Sequence, residues 1–261
     1  FLAGLWLAPF VCQKDSKIFR EHPDWLLLHD GKPWYCGSNW GGFYALDIDN
    51  AEFVRYLEQT FSLVLDDWGF DLVKLDFLYA AAPFGDARES RAGRMTRALE
   101  LLRRLCGDKL ILGCGVPLMP SFGLVDYCRI SCDVGLDWDN SLIMRHTNRE
   151  RVSTRQAIGN SISRRQLNGR AFGNDPDVFF LRESNIRLSE TDKYKLAVVN
   201  SLFGTLFLTS DNMGEYCSEA AALYERLRTL SERAENIRVD TDNGLTVYYD
   251  LEGTEQVLEI E

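Results

Sequence analysis

Leu72-Val73-Lys74-Leu75-Asp76-Phe77 reads as a short buried strand with an anomaly. Side chains alternate along a strand, so Leu72, Lys74 and Asp76 share one face, which is unusually polar for a strand covered on both sides. Five similar apolar runs occur at Ala3–Phe10, Leu110–Gly115, Asp126–Ser131, Val178–Arg182 and Leu202–Thr209. Helical patterns separate them. Phe53, Leu57, Phe61, Val64 and Trp68 recur at helical spacing, with Asn50 as cap and Gly69 as stop. Met95, Leu99, Leu102 and Leu105 form a second stripe before Gly107, and further helices are expected around Glu150–Arg165, Ser189–Leu202 and Ser218–Ala234. The link from Gly115 to Asp126 holds two prolines and predicts an abbreviated crossover. This alternation is the mark of βαβ units and an α/β fold with a parallel sheet.

A doubly wound sheet and a (β/α)8 TIM barrel both fit the alternation. The barrel is favoured because polar residues fall at the C-terminal ends of several strands, where barrel active sites are built. Six strands are too few to close it, so the expectation is an incomplete barrel of about six βα units over residues 1–236. Beyond Asn236 the period changes to two, in Ile237–Asp240, Leu245–Asp250 and Gln256–Ile260, with a turn at Asp242-Asn243-Gly244. Residues 237–261 therefore read as the start of a β-rich C-terminal domain.

The 261 residues are 46% hydrophobic and 26% charged, the composition of a globular chain rather than a disordered or fibrous one. Twenty-nine basic against 39 acidic residues give a formal charge of −10, which argues against a nucleic-acid partner and fits a neutral small molecule. The longest apolar run, Phe1 to Cys12, is too short to span a bilayer, so no membrane partner is expected. Seven cysteines with no Cys-x-x-Cys pair fit a reducing, cytoplasmic compartment. Three histidines in no metal-site spacing argue against a metal, and Gly113-Cys114-Gly115 lacks the third glycine of a dinucleotide loop, so no cofactor is expected.

With so little histidine, acid–base chemistry falls to carboxylates. Asp76 ends its strand beside Lys74, which would favour an ionised, nucleophilic carboxylate; a structural ion pair or a helix cap fits the same pattern. Asp133 follows Cys128-Arg129-Ile130-Ser131-Cys132 and shares parity with Arg129 and Ser131; a loop aspartate neutralised by Arg129 fits equally. Two aspartates on one rim are what retaining glycoside hydrolysis needs. Of the tryptophans, Trp6 and Trp138 are kept as candidate sugar platforms, while Trp25, Trp34 and Trp40 are assigned to packing. Cys114 and Cys132 read as small buried hydrophobes. The arginines of Arg91–Arg104 and Arg149–Arg165 read as solvated helix faces.

Leu5-Trp6-Leu7-Ala8-Pro9-Phe10, Trp25-Leu26-Leu27-Leu28, Lys74-Leu75-Asp76-Phe77-Leu78, Gly113-Cys114-Gly115-Val116-Pro117-Leu118, Arg129-Ile130-Ser131-Cys132-Asp133 and Asn174-Asp175-Pro176-Asp177 follow one another in order. Together, over about residues 3–215, they resemble the catalytic barrel of the melibiase-type α-galactosidases, glycoside hydrolase family 36. The resemblance implies a retaining, cofactor-free and metal-free hydrolase of terminal α-galactosyl residues, as in melibiose or raffinose. Asp76 would match the nucleophile and Asp133 the acid/base. Trp6, Lys74 and Arg129 would line the galactose pocket, with Cys114 and Trp138 on its border, and Asn174 and Asp177 would support the seventh strand. Measured against the family, the chain starts at the third barrel strand, without the first two βα units or the acidic pair of the first strand. Exposed outer strand edges then predict self-association, a homo-oligomer, unless the gap is filled. Alternatives within the class are α-N-acetylgalactosaminidase and galactosyl transfer. Outside it stand a catalytically silent sugar-binding or structural module and a doubly wound binding domain.

Overall fold

The computed structural model describes residues 2–139, 152–242 and 244–260. It divides into two compact units, Phe1–Cys128 and Arg129–Glu261.

In the first unit, β1 (Gly4–Leu7) is followed by β2 (Val11–Gln13), α1 (Lys17–Glu21), β3 (Leu28–His29), β4 (Lys32–Pro33), β5 (Tyr35–Gly37) and β6 (Phe43–Ala45). Then come α2 (Ala51–Ser62), β7 (Leu72–Leu75), α3 (Arg91–Cys106), β8 (Leu110–Gly113) and β9 (Tyr127–Arg129), whose last residue opens the second unit. The parallel sheet runs β1-β7-β8-β9, in sequence order with no reversal. Gly4 pairs with Leu72, which pairs with Leu110. Helices α2 and α3 make the first two crossovers, and the third is cut down to a 3₁₀ turn at Met119–Ser121, as the two prolines predict. The two outer strands of this order do not meet, so the described strands do not close into a barrel.

Both predicted helices form for the expected reasons. Asn50 Oδ1 accepts from the amides of Glu52 and Phe53 and starts α2, whose Phe53, Leu57 and Phe61 are buried. The helix widens into a π-turn at Leu63–Asp67, and Gly69 ends it at φ +73°. That π-turn swings the last residue of the stripe outward: Trp68 is exposed. In α3, Met95, Leu99 and Leu102 are buried, but its arginines are not simply solvated. Arg94 binds Asp47 and Asp49 at 2.6 Å, Arg97 binds Asp49 and Glu89, and Arg103 binds Asp126. The helix is thereby tied to the segment ahead of α2. The stretch between β1 and α2 builds an antiparallel sheet, β2-β6-β5, and a β3–β4 hairpin turned by Asp30 and Gly31 at φ 51° and 74°.

The second unit carries α4 (Thr154–Ser163), β10 (Gly173–Asp175), α5 (Glu190–Phe203), α6 (Ser218–Arg233), β11 (Glu235–Asp240), β12 (Thr246–Leu251) and β13 (Thr254–Glu259). Helix α4 answers the pattern expected around Glu150–Arg165, of which Glu150 and Arg151 lie outside the described residues. The two strands expected at Val178–Arg182 and Leu202–Thr209 are not formed as ladders. Only a single parallel bridge joins Phe179 to Thr209, and Leu202 and Phe203 finish α5. At the first of the two, the amides have a competing acceptor. The buried Asp211 carboxylate takes the amides of Leu181 and Arg182 at 2.5 and 3.1 Å, which removes those donors from any ladder. A strand forms instead at β10, where Asn174 and Asp175 are fully buried.

The C-terminal pattern folds as read, into an antiparallel β11-β12-β13 sheet. Val247 and Tyr249 alternate inward with Leu258 and Ile260, and they join Leu196, Val199, Leu227 and Leu230 of α5 and α6 in one core. Asn243 of the expected turn lies outside the described residues.

Candidate active site

Asp76 stands one residue beyond β7, and its neighbours fix it from three directions. Its amide donates to Leu7 O (2.9 Å), and the next strand reaches the same level through Cys114 N to Leu75 O (2.8 Å). The indole Nε1–H of Trp6 donates to Asp76 Oδ2 at 3.0 Å, and the Phe77 amide donates to Oδ1 at 2.8 Å. Each carboxylate oxygen is thus oriented by one N–H. Phe77 sits in the left-handed region (φ 54°, ψ 31°), a conformation that bulky residues rarely adopt. Gly115, at φ +58°, makes room for it: a Cβ there would stand 3.2 Å from Phe77 N and Cα and 3.5 Å from Asp76 Oδ1. The 2.7 Å bond from Tyr79 N to Gly115 O closes the turn.

Lys74 lies in register with Trp6, but it does not supply the ion pair expected with Asp76: among the described residues no carboxylate comes within 4.0 Å of it. Cys114 is buried immediately after β8 and contributes its backbone, its carbonyl accepting from Leu78 N at 3.4 Å.

The Trp6 ring that bonds the carboxylate also walls an open, largely apolar cleft of about 310 Å³, lined by Trp6, Ala8, Val11, Cys12, Gln13, Trp40 and Phe43. Trp6 and Trp40 meet edge to face, with centroids 6.2 Å apart, and both are about half exposed, at 46% and 51%. Trp40 was assigned to packing on sequence; the structure brings it to the candidate site instead. The local signal was the Gly41-Gly42 pair behind it, both glycines having positive φ.

In the second unit, Arg129 is the hub of a carboxylate cluster. Its Nη1 meets Asp133 at 2.8 Å, Nε meets Asp175 at 3.0 Å and Nη2 meets Asp177 at 2.8 Å. The pairing of Arg129 with Asp133 comes from an i, i+4 turn rather than from strand parity, since β9 ends at Arg129. Arg129 is buried, whereas the Asp133 side chain is 68% exposed and open to solvent. Burial, together with Asp175 and Asp133 nearby, raises the pKa of Asp177 despite the opposing pull of Arg129. The Asp177 carboxylate also accepts from Val134 N at 2.8 Å, which pins the loop carrying Asp133. Asn174 bonds the carbonyls of Arg164 and Phe203 at 3.3 Å each. Trp138 is partly buried against the core of this unit, and its carbonyl accepts from Arg155 N at 3.0 Å. Sequence reading missed Asp175, whose burial beside an arginine only the fold reveals.

Cys132, between the cluster and Ser153, has its thiol pKa raised by burial. Among the described residues no group of three His, Cys, Asp or Glu side chains is arranged to hold a metal, and no helix is long and apolar enough to cross a membrane.

Comparison with known proteins adds an independent line. A family model described as Melibiase matches residues 1–99. An α-galactosidase of Escherichia coli is 31% identical over 104 residues, 38% of this chain and 14% of that protein. The α-galactosidase AgaA of Geobacillus stearothermophilus is 33% identical over 73 residues, 28% of this chain and 10% of that one. Among solved structures, the Thermus thermophilus α-galactosidase TtGalA in complex with stachyose superposes with a TM-score of 0.78 at 33% identity, covering 87% of this chain and 49% of that chain. The chain thus spans about half the length of that structure and a smaller share of the curated relatives. By sequence over residues 1–99 and by fold over most of its length, the chain is similar to the melibiase-type α-galactosidases.

Proposed function

We propose that the chain carries the catalytic carboxylates of a retaining hydrolase acting on terminal α-galactosides of the melibiose or raffinose type. The observation that carries this reading is the Asp76 carboxylate, oriented by Trp6 and Phe77 at the end of a parallel strand and beside an aromatic cleft. The likeness to α-galactosidases, with the Melibiase model matching residues 1–99, supports the substrate class. On this reading residues 1–236 belong to a (β/α) barrel whose C-terminal rim holds the site, and residues 237–261 open a C-terminal β domain.

In the first step an Asp76 oxygen attacks the anomeric carbon as the bond to the departing oxygen breaks, and Asp133 gives that oxygen its proton. In the second, the Asp133 carboxylate takes a proton from water, whose oxygen displaces Asp76 and releases galactose. The reaction requires the two carboxyl groups ~5–5.5 Å apart during catalysis. Asp133, exposed on a loop pinned by Asp177, is accessible to a substrate oxygen; Arg129 holds it in place. Trp6, Lys74 and Arg129 bind or border the galactose, with Cys114 and Trp138 shaping the surrounding wall.

The test is hydrolysis of an aryl α-galactoside by the chain and by Asp76→Ala and Asp133→Ala. Turnover in the parent, lost in both variants, is the expected result. Turnover that survives Asp76→Ala would overturn the assignment.

A further inference from the structure

We infer that the cleft between Trp6 and Trp40 is the subsite for the aglycone, the neutral ring on the far side of the scissile bond, and that Trp40 sets the preference for it; this inference rests on the hydrolytic reading above. Trp6 belongs to both places. Its Nε1–H is bonded to Asp76 while its ring forms a wall of the cleft, so one side chain joins the cleft to the candidate nucleophile.

The lining fits a neutral ring. Among the described residues no charged side chain lines the cleft, and burial pushes the Cys12 thiol up to about 11, so it is protonated and uncharged at neutral pH. Gln13 offers an amide to hydroxyl groups, and the indoles offer flat faces to the apolar face of a sugar. The backbone points the same way. Trp40 is held at φ 53° and ψ 32°, left-handed geometry that a bulky residue rarely takes, and it stays half exposed. Phe43 and Phe77 hold it at centroid distances of 5.7 and 5.1 Å. Backbone strain therefore presents an aromatic ring to solvent next to the reacting group, where packing alone would bury it.

The experiment compares melibiose, whose aglycone is a hexose, with α-galactosyl fluoride, which has none. Trp40→Ala should lower kcat/KM for melibiose about ten-fold more than for the fluoride, mainly through KM, and Trp40→Phe should recover most of the loss. Equal losses on both substrates, or none on either, would overturn the assignment. Calorimetric binding separates this inference from the reading beneath it. In the Asp76→Ala background, melibiose should bind more tightly than galactose, and Trp40→Ala should abolish the difference. That binding pattern in a chain that turns over neither substrate would leave the cleft standing and remove the hydrolytic reading. A difference that persists in Trp40→Ala, or no melibiose binding at all, would remove the cleft.

Discussion

The indole of Trp6 on β1 donates to the carboxylate of Asp76 at the end of the neighbouring β7 at 3.0 Å, so the two strands share one reactive group. Trp6→Phe keeps the ring and deletes the donor. A hydrogen bond to a charged group contributes about 1.5–3 kcal/mol, so kcat on an aryl α-galactoside should fall about ten-fold or more with the fold retained. Steady-state kinetics beside circular dichroism would check both halves.

Gly115 occupies a left-handed position against the Phe77 backbone, with Asp76 Oδ1 also near. Gly115→Ala combines backbone strain with a clash that no flexible side chain relieves, and should destabilise by about 1–3 kcal/mol. Gly159, inside α4 with nothing within 4 Å of an added Cβ, is the control. Gly159→Ala should stabilise by about 0.5–1 kcal/mol. Urea unfolding of the two variants gives the comparison.

Arg129 is buried with three carboxylates on its three nitrogens. Arg129→Leu would leave them facing one another, with an expected loss of about 3–5 kcal/mol. Arg129→Lys, with a single ammonium, should recover only part of it. Thermal melts would rank the three proteins.

The raised pKa of Asp177 carries a sign. Its folded form holds the proton more tightly than the unfolded chain, so its contribution to stability is full below the ordinary value of 3.8 and is lost as pH rises through the folded value. Asp177→Asn removes this dependence. Relative to the parent, the variant should gain stability between pH 3.5 and pH 7, read as the difference in urea midpoints at about those two pH values. A difference that moves the other way would mean that the pull of Arg129 outweighs burial.

Thiol labelling probes the fold directly. Burial pushes Cys106 up to about 12 and raises Cys132, while Cys217 is exposed at the head of α6. In the native protein near pH 8, Cys217 should label first, and Cys106 and Cys132 only on unfolding. Peptide mass mapping would show the order.

The polar stripe of β7 was legible because strand alternation is local, and α2 and α3 because their caps and apolar stripes lie within their own sequence. Trp40 was not, since its place beside Trp6 depends on an antiparallel sheet, β2-β6-β5, that folds back after β1. The strand expected near residues 178–182 is held to a single bridge where Asp211, about thirty residues on, captures the amides of Leu181 and Arg182, and the one expected near 202–209 gives its first two residues to α5. Arginines on α3 looked solvated until the fold brought Asp47, Asp49 and Asp126 to them. Asp133 was paired correctly with Arg129, though by a turn rather than by a strand face.

The central claim is that Asp76 attacks the sugar. The chain should be incubated with a fluorinated galactosyl fluoride that forms the glycosyl-enzyme quickly and releases it slowly, then digested and mapped by mass spectrometry. A galactosyl adduct on the peptide containing Asp76, absent in Asp76→Ala, is the predicted result. An adduct on Asp133, or turnover of an aryl α-galactoside with no adduct on Asp76, would contradict it.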